Sequence, residues 1–275
     1  MKNLTLLTLV LLPTLTYADT FTFGIVPQQS ASRLAQQWTP ILAKISQETG
    51  HTIIFETAKD IPMFEQRLAS GDYDFAYMNP FHFVTFNNSV GYSAMAKAKD
   101  KRLKGIMVVR KDSGITSLDQ LDNTTLAFPA PAAFAATLLT QAGLKQRNVH
   151  FEPNYVSSHD SVYLSVAKGF YPSGGGIIRT FNALDPEVRD QLTPIYTSKG
   201  FTPHAIANHP RVDSEVVQKV QTSFVQLAQN EEGKTLLSPL RIKAFETAVD
   251  VDWDDVRALN IKQKDTMPMT VNKNQ

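Results

Sequence analysis

A chain of 275 residues with 27 basic and 26 acidic side chains, 43% hydrophobic composition and no cysteine excludes several classes at once. The balanced charge lacks the clustered basic excess of a nucleic-acid-binding domain, and without thiols there is no disulfide framework, no thiolate metal site and no lipid-attachment cysteine. A chain of this size and apolar content buries a substantial core, commonly split between two lobes of roughly 100 to 150 residues.

Lys2 is followed by an uncharged apolar run from Leu4 to Leu15 and by the small-residue site Thr16-Tyr17-Ala18. This pattern predicts a cleaved signal peptide over 1–18 and a mature chain beginning near Asp19. The run is shorter than the roughly 20 residues a membrane span needs. Export to a Gram-negative periplasm follows as the expected location.

Beyond the leader, strand and helix patterns alternate. Phe21 to Val26 reads as a strand, and Leu34, Trp38, Ile41, Leu42 and Ile45 recur at helical spacing up to a C-cap glycine, Gly50. Thr52 to Glu56 reads as a strand, Met63 to Ala69 as a helix, Phe75 to Met78 as a strand and Phe81 to Phe86 as a short helix. Gly105 to Arg110 begins a second set, in which Asp112-Ser113-Gly114 turns into a short helix at Ser117 to Leu121. Strands are predicted at Thr125 to Phe128, Val149 to Tyr155 and Gly176 to Phe181, with helices at Ala132 to Ala142 and Ser158 to Lys168. Two extended runs between Ile195 and Ala207 carry the chain back, and the remainder reads as helical, with Asp213 capping a helix whose Val216, Val217, Val220, Phe224 and Leu227 share a face.

This order predicts an α/β protein of two lobes, each a mostly parallel sheet flanked by helices, with lobe 1 over 19–107 and 198–275 and lobe 2 over 108–197. Ligands of open α/β sheets sit at the carboxyl ends of strands, so the expected site lies in the cleft between the lobes.

Four segments in this order carry a family resemblance: "FGIVPQ" from Phe23, "GDYDFAYMNPFHFV" from Gly71, "VVRKDSGITSLDQLDNTTLAFPAP" from Val108 and "SHDSVYLSVAKG" from Ser158. Together they resemble the phosphate, phosphite and phosphonate-binding solute receptors of periplasmic transport systems, over nearly the whole mature chain. The resemblance implies a type II-like two-lobed binding protein whose cleft closes on a small-molecule ligand. It implies ligand contact at Tyr77, which ends the "DYDFAYMNP" strand, with Asn79 opening the next helix; a tyrosine buried in the core is the alternative. His159 matches a family histidine at a helix start, where amides favour an anion; the alternative is that Ser158 or Asp160 caps the helix and the histidine is solvated.

This chain departs from the family pattern in several places. The Ser-Thr-Ser-Gly run expected after Phe128 is replaced by Pro129-Ala130-Pro131-Ala132-Ala133-Phe134, so hydroxyl contacts are gone. Backbone amides of Ala132, Ala133 and Phe134 are left to receive an anion, with Phe134 as an aromatic wall or as part of a buried helix face. An acidic residue expected in the last strand of lobe 2 is replaced by Gly174-Gly175-Gly176, which reads as close backbone approach to a ligand. Arg179 follows as a bidentate clamp for carboxylate, phosphonate or sulfonate, against a plain salt bridge as the alternative. Ile61 stands where the family often has tyrosine, and His204 is expected to satisfy a backbone carbonyl at the hinge, with a place facing the cleft as the alternative.

The chain has no HExxH, Walker-type phosphate loop or Gly-x-Ser-x-Gly elbow, so the sequence predicts a carrier and not an enzyme, with no cofactor and no metal. The expected ligand is a small oxyanion or anionic organic molecule, with an apolar or zwitterionic one as the alternative. The expected partner of a monomeric receptor is an inner-membrane ABC permease or, alternatively, a sensor histidine kinase.

Overall fold

The computed structural model describes residues 18–261, so the predicted signal peptide over 1–18 lies almost wholly outside the described residues, and the end of lobe 1 beyond 261 lies outside them too. The chain opens with strand β1 (Thr20–Ile25), helix α1 (Ala31–Thr49), β2 (Thr52–Thr57), α2 (Ile61–Ala69), β3 (Phe75–Met78), α3 (Pro80–Val90) and β4 (Ser93–Ala98). It crosses to β5 (Gly105–Arg110), β6 (Thr124–Phe128), a π-helical segment (Phe134–Leu139) running into α4 (Thr140–Gln146), β7 (Phe151–Tyr155), α5 (His159–Ala167), β8 (Ser173–Ile177), α6 (Ile178–Asn182), α7 (Pro186–Arg189) and β9 (Leu192–Thr197). It then returns through β10 (Ala205–Asn208), α8 (Ser214–Gln226), α9 (Glu231–Leu237), β11 (Phe245–Thr247) and α10 (Asp254–Arg257).

Two sheets result, one in the order β11-β4-β10-β3-β1-β2 and one in the order β7-β6-β8-β5-β9. They are mixed rather than mostly parallel: β1 pairs in parallel with β2 and β3, and β6 with β7 and β8, whereas β10, β11, β5 and β9 pair antiparallel. In each lobe the strand that enters from a crossing lies antiparallel beside the strand that leaves by the other: β10 beside β4 in the first, β5 beside β9 in the second. Those crossings are tied to each other at Leu103 and Phe201, whose backbones exchange N–H···O bonds of 2.7 and 2.9 Å.

The amphipathic spacing of α1 buries Leu34, Trp38, Ile41, Leu42 and Ile45 on the first sheet, where Phe23 stacks against Trp38 and Phe75. Ser30 caps the helix, and Gly50 ends it with φ 76°, the left-handed conformation a glycine adopts without Cβ cost. In the second lobe, β5 sends alternate side chains to opposite faces. Ile106 and Val108 join Tyr163, Val166 and Phe181, while Met107 joins Leu126, Phe128 and Leu144.

Three expected elements differ. The chain is β-structured at Ser93–Ala98 and Phe245–Thr247, where no strand is predicted. The strand predicted at Gly176 to Phe181 is instead β8, ending at Ile177, followed at once by α6. Its glycines are not a ligand approach: an added Cβ would lie 2.4 Å from Val162 Cγ1 at Gly174, 1.9 Å from the Ala136 carbonyl oxygen at Gly175 and 2.1 Å from the Tyr163 hydroxyl at Gly176. They let the flanking helices sit against the sheet.

Candidate functional site

The loops after β1 and β3, the turn after β6, the start of α5 and the β8–α6 junction converge between the lobes. Gln28, in the loop after β1, ties them together. Its carbonyl accepts the His159 N–H at 3.0 Å, and its side-chain Oε1 accepts Arg179 Nη2 at 2.5 Å. Because guanidinium only donates, the amide orientation is fixed, and Gln28 Nε2 donates to His204 Nε2 at 2.9 Å. His204 is therefore the Nδ1–H tautomer. Further direct contacts cross the cleft: Asn79 Nδ2 donates to the Ala132 carbonyl at 3.1 Å, and Arg33 bonds the Ala183 carbonyl at 2.6 Å and Asp185 at 3.1 Å.

The structure holds both histidines neutral. His159 is 1% exposed, its Nδ1 lies 3.0 Å from Thr180 Oγ1, and burial, aided by the Arg179 charge, lowers its pKa to about 3. His204 is displaced well below the ordinary imidazole value, first by burial and then by Arg179. Tyr77 stacks on His204 with centroids 4.9 Å apart and packs on Trp38 at 4.7 Å; burial raises its phenol pKa.

Two connected spaces lie here. An inner one of about 10 Å³, room for a single water, is lined by Gln28, Ile61, Asn79, Ala133 to Ala136, His159, Ile177 and His204. An outer cleft of about 300 Å³ shares Leu103, Ile177 and His204 with it and adds Tyr77, Arg179, Lys101, Arg102, Lys104 and Arg241. Arg102 is neutralised by Asp255 at 2.6 Å. Lys101, Lys104, Arg179 and Arg241 have no carboxylate within 4 Å among the described residues, and no acidic residue lines the cleft.

Of the residues singled out in the sequence, Tyr77, Asn79, Ala133, Phe134, His159 and Arg179 therefore border one of the two spaces. Ser158 does not: its hydroxyl caps α5 by accepting the Ser161 N–H, and the histidine beside it is buried rather than solvated. Ala132 contributes only its carbonyl, to Asn79. The Ala133 amide is spent on the Ala130 carbonyl, whereas those of Phe134, Ala135 and Ala136 make no backbone hydrogen bond among the described residues. Arg179 sits in the first turn of α6, not on a strand. His204 serves no hinge carbonyl but lies in the middle of the site. Gln28 and the basic rim were not singled out, although Gln28 follows β1 directly and so obeys the strand-end rule.

Two lobes joined by paired crossings, closing over buried polar groups and a basic cleft, define a ligand receptor of the periplasmic binding-protein type. The model of the periplasmic substrate-binding protein of phosphonate ABC transporters matches residues 23–253, and the chain belongs to that family. It is 22% identical to the phosphate-import protein PhnD of Mycolicibacterium smegmatis, over 88% of this chain and 85% of the relative. A binding protein component of an ABC phosphonate transporter from Pseudomonas aeruginosa has the same fold, with a TM-score of 0.82, 20% identity and coverage of 89% of this chain and 86% of that one. A third similarity, 24% identity to the tetrathionate sensor histidine kinase TtrS of Salmonella typhimurium, spans 49% of this chain and 25% of the kinase.

Proposed function

We propose that this chain captures a small oxyanion of the phosphate or phosphonate kind between its lobes and delivers it to an inner-membrane ABC permease, without performing chemistry on it. The observation that carries this reading is the cleft of about 300 Å³ with four cations that have no carboxylate partner and with no acidic wall, among the described residues. Such a concave one-sign surface concentrates anions before any specific contact forms. Arg179 then supplies the charge-assisted donor, and the free amides of Phe134, Ala135 and Ala136 take the place of the family's missing hydroxyls. The names of the mycobacterial and pseudomonad relatives, a phosphate importer and a phosphonate transporter component, support the ligand class. In this reading residues 1–18 are removed on export, the mature protein is a monomer, and the lobes comprise 19–107 with 198–275, and 108–197.

The test is a thermal-shift panel on the mature protein with phosphate, phosphite, methylphosphonate, methanesulfonate, acetate and neutral amino acids. An anion at about 100 times its Kd is expected to add about 2.7 kcal/mol of stability. A melting point raised only by neutral or cationic compounds would overturn the reading.

A second reading, a receptor that signals instead of transporting, has the partial match to the sensor kinase in its support. A deletion strain separates the two. Lost ligand uptake supports the importer, and retained uptake with a lost transcriptional response supports the sensor.

A further inference from the structure

The inner and outer spaces differ too much in size and charge for a bare inorganic ion to be the ligand they suit. The inner space, about 10 Å³, is walled by Ala133 to Ala136, Ile61 and Leu103 together with uncharged polar side chains of Gln28, Asn79 and the two histidines. The free volume lies outside it, in a cleft of about 300 Å³, the lower end of the roughly 300–1,000 Å³ range of pockets that hold organic ligands. Along this cleft Ala98, Leu103, Ile177, Ile178, Pro203 and Ile242 present apolar surface. Its cations come from different elements. Arg179 sits at the inner end, bonded to Gln28 beside His204, and Lys101 and Lys104 sit on the crossing between the lobes. Neither lysine has an ion-pair partner or a hydrogen bond among the described residues. Both histidines are neutral, so among the described residues Arg179 is the one cation bonded to the inner group; Arg241 is held by the Asn182 carbonyl, and the lysines are left for a second negative charge.

We infer that the ligand is an organic dianion with its charges at two ends: one oxyanion group replaces Gln28 as the acceptor of Arg179, an apolar linker lies along Ile177 and Pro203, and the second anionic group reaches Lys101 and Lys104. This rests on the anion-receptor reading above and narrows its ligand class. Among the described residues no carboxylate lines the cleft, so an amino group on the linker finds no counter-charge from them.

The test uses matched pairs in calorimetric titrations of the mature protein: methanesulfonate against ethane-1,2-disulfonate, and methylphosphonate against phosphonoacetate. The dianion of each pair is expected to bind at least about tenfold tighter, the effect of several partly screened charge pairs acting together. Raising the salt from 0.05 to 0.5 M is expected to shrink that ratio. The double variant Lys101→Gln, Lys104→Gln is expected to bring the ratio near one, weakening the dianion of each pair far more than its monoanion. Equal affinities within each pair, or a preference that survives the double variant, overturn the inference and leave the anion-receptor reading standing. Failure of all four anions to bind overturns both.

Discussion

Lowering the pH from 7 to 5 is expected to cost this protein about 2 kcal/mol of folding stability through His159 and a further loss through His204, because two imidazoles are packed between its lobes in their neutral form. His159 and His204 are 1% and 3% exposed, and burial depresses both, His159 to about 3. In the unfolded chain each imidazole titrates near ~6.5. Above that value both states are neutral and the histidines add no pH dependence. Below it the unfolded state takes up a proton that the folded state refuses, so stability is complete above ~6.5 and is lost as the pH falls towards the folded value, at about 1.4 kcal/mol per pH unit for each group. Between pH 7 and 5 that amounts to about 2 kcal/mol for His159, and His204 adds a loss of the same sign. Asp160, whose carboxyl burial raises, works in the opposite direction, losing stability as the pH rises through its folded value. The variants isolate the histidines: His159→Gln keeps a polar partner for Thr180 and should remove about 2 kcal/mol of the difference. Urea denaturation at pH 7 and 5, followed by tryptophan fluorescence, gives the free energies. Equal stability at the two pH values, or an imidazole nitrogen resonance of His159 titrating near 6, would refute the argument.

Other perturbations probe the scaffold and the site. Gly175→Ala, whose Cβ would sit 1.9 Å from the Ala136 carbonyl and 2.7 Å from Phe128, should cost about 3 kcal/mol in urea denaturation; a loss below about 1 kcal/mol would show that the helix over 134–139 is free to move off the sheet. Asn79→Ala removes the cap of α3 and the donor to the Ala132 carbonyl, for an expected loss of about 2 kcal/mol; no loss would mean that neither bond matters. Gln28→Ala frees Arg179 and leaves His204 Nε2 without its donor. It should lower stability by about 1 kcal/mol while holding or raising anion affinity, and a large loss of affinity would make Gln28 a ligand contact in its own right.

The elements that the sequence disclosed are those whose signals are local. The spacing of Leu34, Trp38, Ile41 and Ile45 and the cap at Gly50 place α1, and Phe75 to Met78 is a strand in both readings. The region around Gly176 misled because Ile177 and Ile178 look like strand residues, while the glycines carry no side-chain signal. Their reason lies in Val162, Tyr163 and Ala136, supplied by other elements. The same holds for the site. Tyr77, His159 and Arg179 were visible as residue types at strand ends or helix starts, but Gln28 acquires its importance from Arg179 and His204, 151 and 176 positions away. Lys101 and Lys104 look like ordinary surface lysines until the return of the chain through Phe201 folds their crossing into the cleft.

The most direct test of the receptor account is calorimetric titration of methylphosphonate into the mature protein and into Arg179→Ala. The guanidinium has no carboxylate partner among the described residues, so its removal costs the fold little and the anion one charge-assisted hydrogen bond, about 1.5–3 kcal/mol. The account predicts binding to the parent protein and an affinity about 10- to 150-fold lower in the variant, both proteins being folded; equal affinity in the two would contradict an anion site built on Arg179.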